Sequence, residues 1–377
     1  MSELFIGLMS GTSLDGIDAV LADFGAPQPK LLAHHHRPFE IALRHELLVL
    51  NQPGHDELRL AALAANNLAR DYAICVQALL DAAAVESSAV AAIGAHGQTV
   101  RHRPDIGYTI QLVNGALLAE LTGIDVVCDF RSRDIAAGGH GAPLAPAFHR
   151  AVFASRDAHR VVVNIGGIAN LTDLPANGAA TAAGAGVASV SGFDCGPGNL
   201  LLDAWAQLHL HQPFDRDGAW ASSGRALPEL LGKLRAHEFF RRVPPKSAGR
   251  ETFNLEWLQT LLRELSNEDA APADVQATLL ALTAGAIADA VEMFCAGACE
   301  IYLCGGGARN TALVKLLEEQ MKDRKVAATD ALGVAAEHVE ALAFAWLARR
   351  RLRGEPGNLP AVTDARGTRV LGAVHHK

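Results

Sequence analysis

The stretch Phe5-Ile-Gly-Leu-Met-Ser-Gly-Thr-Ser-Leu-Asp-Gly-Ile-Asp18 decides how the rest of the chain is read. Leu4 to Met9 is an apolar run of the kind that forms a buried strand, and Ser10 to Gly16 is a polar turn with two glycines. Ile17 to Phe24 resumes as a strand, with Ile17, Ala19 and Leu21 set against Asp18 in partial period-two alternation. The product is a β-hairpin whose tip carries Ser10, Thr12, Ser13 and Asp15. Backbone N–H groups and hydroxyls in such a tip can converge on one anion. Asp15 and Asp18 would repel a phosphate but can hold Mg²⁺, which bridges phosphates. An ordinary turn draws on the same residue types, so the stretch alone leaves both readings open.

Length and composition narrow the class. The chain has 377 residues, too many for one typical core, so two domains are expected. Half of it is hydrophobic and the net charge is −8, which argues against a partner that wants a basic surface, nucleic acid or an anionic membrane. Leu4 to Met9 is too short, and lacks the basic flank, for a signal peptide. The longest apolar stretches are broken by Asp, Glu or Gly, so no transmembrane helix is read. The six cysteines form no C-x-x-C pair and read as reduced residues of a cytoplasmic protein.

Further along, strands keep delivering polar residues at their ends. His34-His-His36 reads as a solvated strand end, since neighbours on a strand face opposite ways. Leu58 to Val85 has a helical apolar stripe. Val90 to Gly94 is a short buried strand that empties into Ala95-His-Gly-Gln-Thr99. Open α/β sheets bind ligands beyond the carboxyl ends of their strands, which places His96, Gln98 and Thr99 where a ligand would sit. Leu112 to Leu121 reads as a helix, and Val126 to Cys128 as a strand that ends in Asp129-Phe-Arg-Ser-Arg-Asp134. There Arg131 and Arg133 suit either a salt-bridge cluster or a binding role. Ala136 to Pro146 is rich in Gly and Pro and is the expected hinge.

The second half opens on Val161-Val-Val-Asn-Ile-Gly-Gly-Ile-Ala-Asn-Leu-Thr172, again strand, glycine turn (Gly166, Gly167) and strand. This echo of the first hairpin, about 150 residues on, points to two related domains. Residues 176 to 190 are a low-complexity loop, mostly Ala, Gly, Ser and Thr. Asp194 falls in the Gly/Pro-rich turn Gly192-Phe-Asp-Cys-Gly-Pro-Gly-Asn199 before a helix from about Leu200, where helix capping would also explain it. Ala273 to Phe294 is an Ala-rich helix. Glu300 to Cys304 is a strand running into Gly305, Gly306 and Gly307 and then a helix, an order that suits a nucleotide although it is neither a Walker A nor G-x-G-x-x-G. A carboxylate such as Glu340 in the first turn of the apolar helix from Val339 is favoured by the helix dipole alone. Thr368 to Val374 reads as a final strand.

Taken in order, Gly7 to Asp18, Gly94-Ala-His-Gly-Gln-Thr99, Asn164-Ile-Gly-Gly-Ile-Ala-Asn170, Phe193-Asp-Cys-Gly-Pro-Gly-Asn199, Gly305 to Gly307 and Glu340 to Leu347 resemble the motifs of the anhydro-N-acetylmuramic acid kinases, nearly end to end. The first and fourth motifs are specific; the glycine run and the helix are generic. The resemblance implies the sugar kinase/Hsp70/actin superfamily: an α/β chain of two actin-like, ribonuclease H-like domains, with mixed β-sheets flanked by helices and an ATP cleft between them. The expected domains are 1–135 with 358–377, and 136–357, closing on ligand. It further implies that water opens the 1,6-anhydro bridge at C1 and that the freed O6 takes the γ-phosphoryl of ATP, giving N-acetylmuramic acid 6-phosphate in cell-wall recycling. Gly11, Thr12, Ser13, Leu14, Asp15, Gly16, Ile17 and Asp18, with Gly166 and Gly167, would then hold the phosphates. Asp15 and Asp18 would hold Mg²⁺, and Gly305 to Gly307 would pass the adenosine. Asp194 would be the base, and His96, Gln98, Thr99, Arg131 and Glu340 would meet the sugar. A homodimer acting on a small anhydro amino sugar, with no nucleic acid or membrane partner, is expected. Two departures stand out: Cys195, where Thr or Ser follows the aspartate in the family pattern, and the long 176–190 segment. The rival readings are another sugar or acid kinase of the superfamily and a non-catalytic ATP-driven sugar-binding module; a chaperone-type module is expected to need a substrate-binding region beyond two nucleotide domains, and a non-catalytic sugar binder would not need the carboxylate Asp194.

Overall fold

A computed structural model describes residues 2–11, 14–176, 189–250, 252–266 and 269–377. Thr12, Ser13 and most of the 176–190 segment therefore lie outside the described residues. The chain forms two compact units, Met1–Val152 with His338–Lys377, and Phe153–Glu337. The sequence alone predicts divisions at 135/136 and 357/358. Two packing facts account for the observed positions, one at each end.

In the first unit, strands β1 (Leu4–Met9), β2 (Gly16–Asp23), β3 (Lys30–Pro38), β4 (Val90–Ala95) and β7 (Val126–Cys128) form one sheet in the order β3-β2-β1-β4-β7, with the terminal strand Ala373–His375 added at the β7 edge. Strands β5 (Gln98–Arg103) and β6 (Tyr108–Leu112) make a separate two-stranded hairpin. Strand β1 is buried along its whole length, as a central strand covered on both faces must be. Ile6 and Leu8 join a core that holds Leu68, Tyr72, Cys75 and Leu79 of the helix Glu57–Ala83. Gly7 points the other way, onto the helix Val339–Leu352. A Cβ there would run into the Ala341 carbonyl, and one at Gly94 into that of Phe344. Glycine at both positions lets the helix lie against the sheet, and this packing puts residues 338–357 in the first unit.

The expected hinge at 136–146 also lies inside this unit. The buried carboxylate of Asp134 accepts from Gly141 N (2.8 Å), Asn358 Nδ2 (2.6 Å) and Thr363 Oγ1 (2.8 Å), and His140 N donates to Thr363 O (2.7 Å). The glycine-rich segment is thus tied to the C-terminal residues of the same unit.

In the second unit, β8 (Arg160–Ile165), β9 (Ile168–Leu174), β10 (Ser191–Pro197), β11 (Glu300–Cys304) and β12 (Lys325–Ala328) form a sheet in the order β10-β9-β8-β11-β12. Its layout repeats that of the first. A leading strand pairs antiparallel with the next strand to make a hairpin, β1 with β2 and β8 with β9, and parallel with a later one, β4 or β11. The helix Pro272–Phe294 is long and apolar enough to cross a membrane by length and composition, but it is the core helix here, with Val275, Leu279, Leu282, Ile287 and Val291 buried.

Three local expectations change. The helix read as Leu112–Leu121 starts at Gly115 and runs to Thr122, because Asn114 caps it by accepting from Leu117 N (3.0 Å). Gln98 and Thr99, expected just past the end of a strand, themselves open the strand β5. Asp194 lies within β10, opposite Asn170, and not in the turn before the helix Leu200–Leu210. The strand carries it because Phe193 and Cys195 face the core on either side.

Candidate functional site

The first unit gathers polar residues where β1 and β4 end. Ser10 is buried; its Oγ lies 3.0 Å from the Tyr72 hydroxyl and donates to Gly97 O (3.1 Å). Leu14, at φ 58°, closes the turn with a bond from its N to Gly11 O (3.2 Å). Next to it, His96 N donates to Leu8 O (2.9 Å), and Gln98 Nε2 donates to Gly11 O (3.1 Å). The His96 ring sits between Ser10 O (3.2 Å from Nδ1) and Arg131 Nη2 (2.8 Å from Nε2), with Phe344 against it. A guanidinium can only donate, so Nε2 accepts and Nδ1 carries the proton given to Ser10 O. Burial and the Arg131 charge lower the His96 pKa to about 3, which keeps that ring neutral.

Arg131 also donates to Gly141 O (2.9 Å). Burial lowers its pKa to about 10, while the charges of Glu340 and Asp134 oppose the shift; at neutral pH it remains a cation. Its bonds to His96 and Gly141 leave other N–H groups for a ligand carboxylate. Gln98 is buried, and its Oε1 finds no hydrogen-bond partner among the described residues. Asp15 is exposed at the hairpin tip. Asp18 is half-exposed and bonds His36 Nδ1 (2.8 Å), which raises the His36 pKa.

The second unit builds a different kind of turn. Gly166 O accepts from Asn199 N (2.8 Å), and Gly167 O accepts from Gly198 N (2.9 Å) and Leu200 N (3.0 Å). Asn199 Nδ2 donates to Ile165 O (3.1 Å), so the β8–β9 turn is joined to the start of the helix Leu200–Leu210. A Cβ at Gly166 would meet nothing nearer than 3.7 Å, and one at Gly167 nothing nearer than 3.9 Å. Neither glycine has a positive φ. Packing and backbone conformation therefore do not call for glycine at either place, whereas a ligand that must touch the backbone would. At the end of β11, Gly305 (φ 77°) and Gly307 are required locally, since a Cβ on either would strike Asn164 or Ile165. Gly306 has room, its nearest neighbour being Asn199 Nδ2 at 3.8 Å. Asp194 N donates to Lys246 O (3.1 Å), and Asp194 Oδ2 accepts from Ala248 N (2.9 Å).

The structure thus brings together Ser10, Gly11, His96, Gln98 and Arg131, with Glu340 in electrostatic reach of Arg131. Gly166, Gly167 and Asn199 meet in the other unit. Thr99 Oγ1 accepts from Gln111 Nε2 (3.2 Å). Gly16 and Ile17 serve the sheet: a Cβ on Gly16 would strike Arg37 O, and Ile17 is core. Leu14 is core as well. Thr12 and Ser13 lie outside the described residues. From the sequence, Tyr72 reads only as part of a helical stripe, Asp134 as part of a charged strand end and Asn199 as a helix-cap candidate. Lys246 has no local signal, and it takes its place through contacts with distant segments.

The residues that could hold the nucleotide and metal fit them by chemistry. Two open glycines suit a phosphate, and the oxygen donors Asp15 and Asp18 suit Mg²⁺, which commonly takes one or two carboxylates beside substrate phosphates.

A family model described as anhydro-N-acetylmuramic acid kinase matches residues 3–377. The anhydro-N-acetylmuramic acid kinase of Nitrosospira multiformis is 56% identical over 373 residues, covering 98% of each chain. That of Nitrosomonas europaea is 53% identical over 98% of this chain and 99% of its own. Among solved structures, the activator of the 2-hydroxyisocaproyl-CoA dehydratase from Clostridium difficile with bound ADPNP overlays with a TM-score of 0.44 at 12% identity, covering 92% of this chain and 93% of that one, too distant a likeness to carry an argument.

Proposed function

This chain belongs to the anhydro-N-acetylmuramic acid kinase family, and on that premise we propose that it opens the 1,6-anhydro ring of 1,6-anhydro-N-acetylmuramic acid with water and phosphorylates O6 from ATP. Its kinase class follows from the family. The single observation that carries the phosphate part of the reading is the pair of open glycines at 166 and 167, whose lack of side chains nothing in the fold demands.

Asp194 is the base. Its carboxylate is held on one oxygen by the Ala248 amide, which fixes its direction, and a base within reach of water can take the proton as water attacks C1. O6 leaves from the opposite face of C1 and accepts the phosphoryl group, so C1 inverts. Phosphoryl transfer asks mainly for positioning and charge neutralisation. The hairpin tip from Gly11 to Asp18 and the Gly166-Gly167 turn are assigned to the phosphates, and the Gly305 to Gly307 turn to the adenosine. Mg²⁺, held by Asp15 and Asp18, would supply charge neutralisation on the phosphates. Arg131 is assigned to the lactyl carboxylate of the sugar, with His96 fixing the guanidinium and Gln98 and Glu340 beside it. Thr99 has a weaker claim because its hydroxyl already accepts from Gln111.

The reading includes a cytoplasmic enzyme and a homodimer, to be checked by sedimentation. The direct test is mass spectrometry of the product made from the anhydro sugar, ATP and Mg²⁺ in ¹⁸O-water, read early. Label on C1 with an α anomer formed first is expected. Label in the transferred phosphate, or a β anomer first, overturns the mechanism.

A further inference from the structure

Lys246 belongs to none of the motifs, yet it lies against the proposed base. Its Nζ sits 4.8 Å from the ring centroid of Phe239, 5.6 Å from Phe294 and 5.8 Å from Phe193. Those three rings come from a short helical turn, the end of the core helix and strand β10, so only the fold assembles the cage. Partial burial lowers the Lys246 pKa, and the neighbouring Cys195 and Asp194 oppose the shift. A cation over aromatic faces is held most strongly where water is thin.

The main chain next to this side chain does something specific. Lys246 O accepts from Asp194 N, and two residues on, Ala248 N donates to Asp194 Oδ2. Strand β10 is the edge of its sheet, and its pairing with β9 slips between Asp194 and Gly196. The segment 246–248 therefore holds Asp194 on the side that the sheet leaves open. It grips both the backbone and the carboxylate.

We propose that Lys246 is a positioning residue for Asp194: its ammonium, seated among Phe193, Phe239 and Phe294, anchors the 246–248 segment that aims the Asp194 carboxylate. The inference rests on the reading of Asp194 as base. A base displaced by an ångström can lose up to about 10²-fold in rate without any loss of substrate binding.

The test uses the full chain with Lys246→Met, Lys246→Arg and Asp194→Asn, each checked by melting temperature. Lys246→Met keeps the bulk and removes the cation. It is expected to lower kcat about tenfold while KM for sugar and for ATP stay within about twofold. Lys246→Arg supplies another cation to the rings and should recover most of the loss. Adding Lys246→Met to Asp194→Asn should cost nothing further, because a positioning residue has no effect once its target is gone. Wild-type kcat in the Met variant, or an Arg variant no better than Met, overturns the proposal. If the Met variant does not fold, Lys246→Gln is read in its place, and failure of both to fold overturns a role confined to positioning. An active Asp194→Asn variant overturns the base assignment and this inference with it. An inactive Asn variant beside a wild-type-like Met variant overturns the positioning role alone.

Discussion

The β1–β2 and β8–β9 hairpins occupy equivalent places in sheets of the same strand order, yet they use glycine for different reasons. Around β1, Gly7 and Gly94 are absences of side chain filled by helix backbone. In the β8–β9 turn, Gly166 and Gly167 are absences that nothing in their own unit fills. The first hairpin is braced instead by side chains: Ser10 on Tyr72, His96 on Ser10, Gln98 on Gly11, and Arg131 behind His96. The second is braced by main chain, through the amides of residues 198–200. One strand layout thus occurs twice, once with a hairpin braced by side chains and once with a hairpin braced by main chain.

The largest expected effect lies in the second region. Asp194→Asn should lower turnover about 10²- to 10⁴-fold, the usual cost of a lost general base, with ATP binding kept. Near-normal turnover in a discontinuous product assay would reject the assignment.

The glycine contrast comes next. Gly7→Ala pushes a methyl into the Ala341 carbonyl and should destabilise the fold by about 3 kcal/mol, at the upper end for overpacking. Gly166→Ala has space, so its stability should stay within about 0.5 kcal/mol of wild type, while KM for ATP rises on the order of tenfold, about 1.4 kcal/mol of lost binding. Denaturant melts and ATP titrations on both variants check this. A Gly166→Ala enzyme with unchanged ATP dependence would remove the functional half of the contrast.

Acid should act chiefly on the first unit. Burial holds His96 and His149 neutral, with pKa values near 3 against an unperturbed 6.5. The unfolded chain therefore binds protons that the native one refuses, and stability falls as pH drops from about 6.5 towards 3. Each residue contributes a slope of up to about 1.4 kcal/mol per pH unit. Denaturant midpoints at pH 7, 6 and 5 should show that slope, and His149→Gln should flatten it. A slope unaffected by the substitution would count against the buried neutral ring.

The smallest effect tests the side-chain bracing. In Arg131→Lys, a single ammonium cannot reproduce the planar fork that reaches both His96 and Gly141, so KM for the sugar should rise about threefold, well under 1 kcal/mol. KM for ATP should not move. An anhydro sugar lacking the lactyl group should be insensitive to the change, and equal sensitivity of both sugars would sink the carboxylate assignment.

The sequence by itself determined the leading strands, the main helical stripe and the echo of one hairpin in the other. Leu4 to Met9 and Val161 to Ile165 are apolar runs ended by glycine turns, and local pattern suffices to read them. The same holds for the helical stripe in Glu57–Ala83 and for the strand-to-glycine step at Cys304-Gly305, because chain neighbours set their periodicity and turn chemistry. Tertiary structure alone decided where the units divide, since the helix Val339–Leu352 joins the first unit by lying on Gly7 and Gly94, more than 240 residues away in the chain. It also decided that Asp194 sits in an edge strand gripped by residues 246–248, that Arg131 rests on His96, and that the 136–146 segment is tied down by Asp134. Each depends on groups brought together across long loops, and a one-dimensional pattern carries no record of which distant side chain will fill a given hydrogen-bond site or cavity.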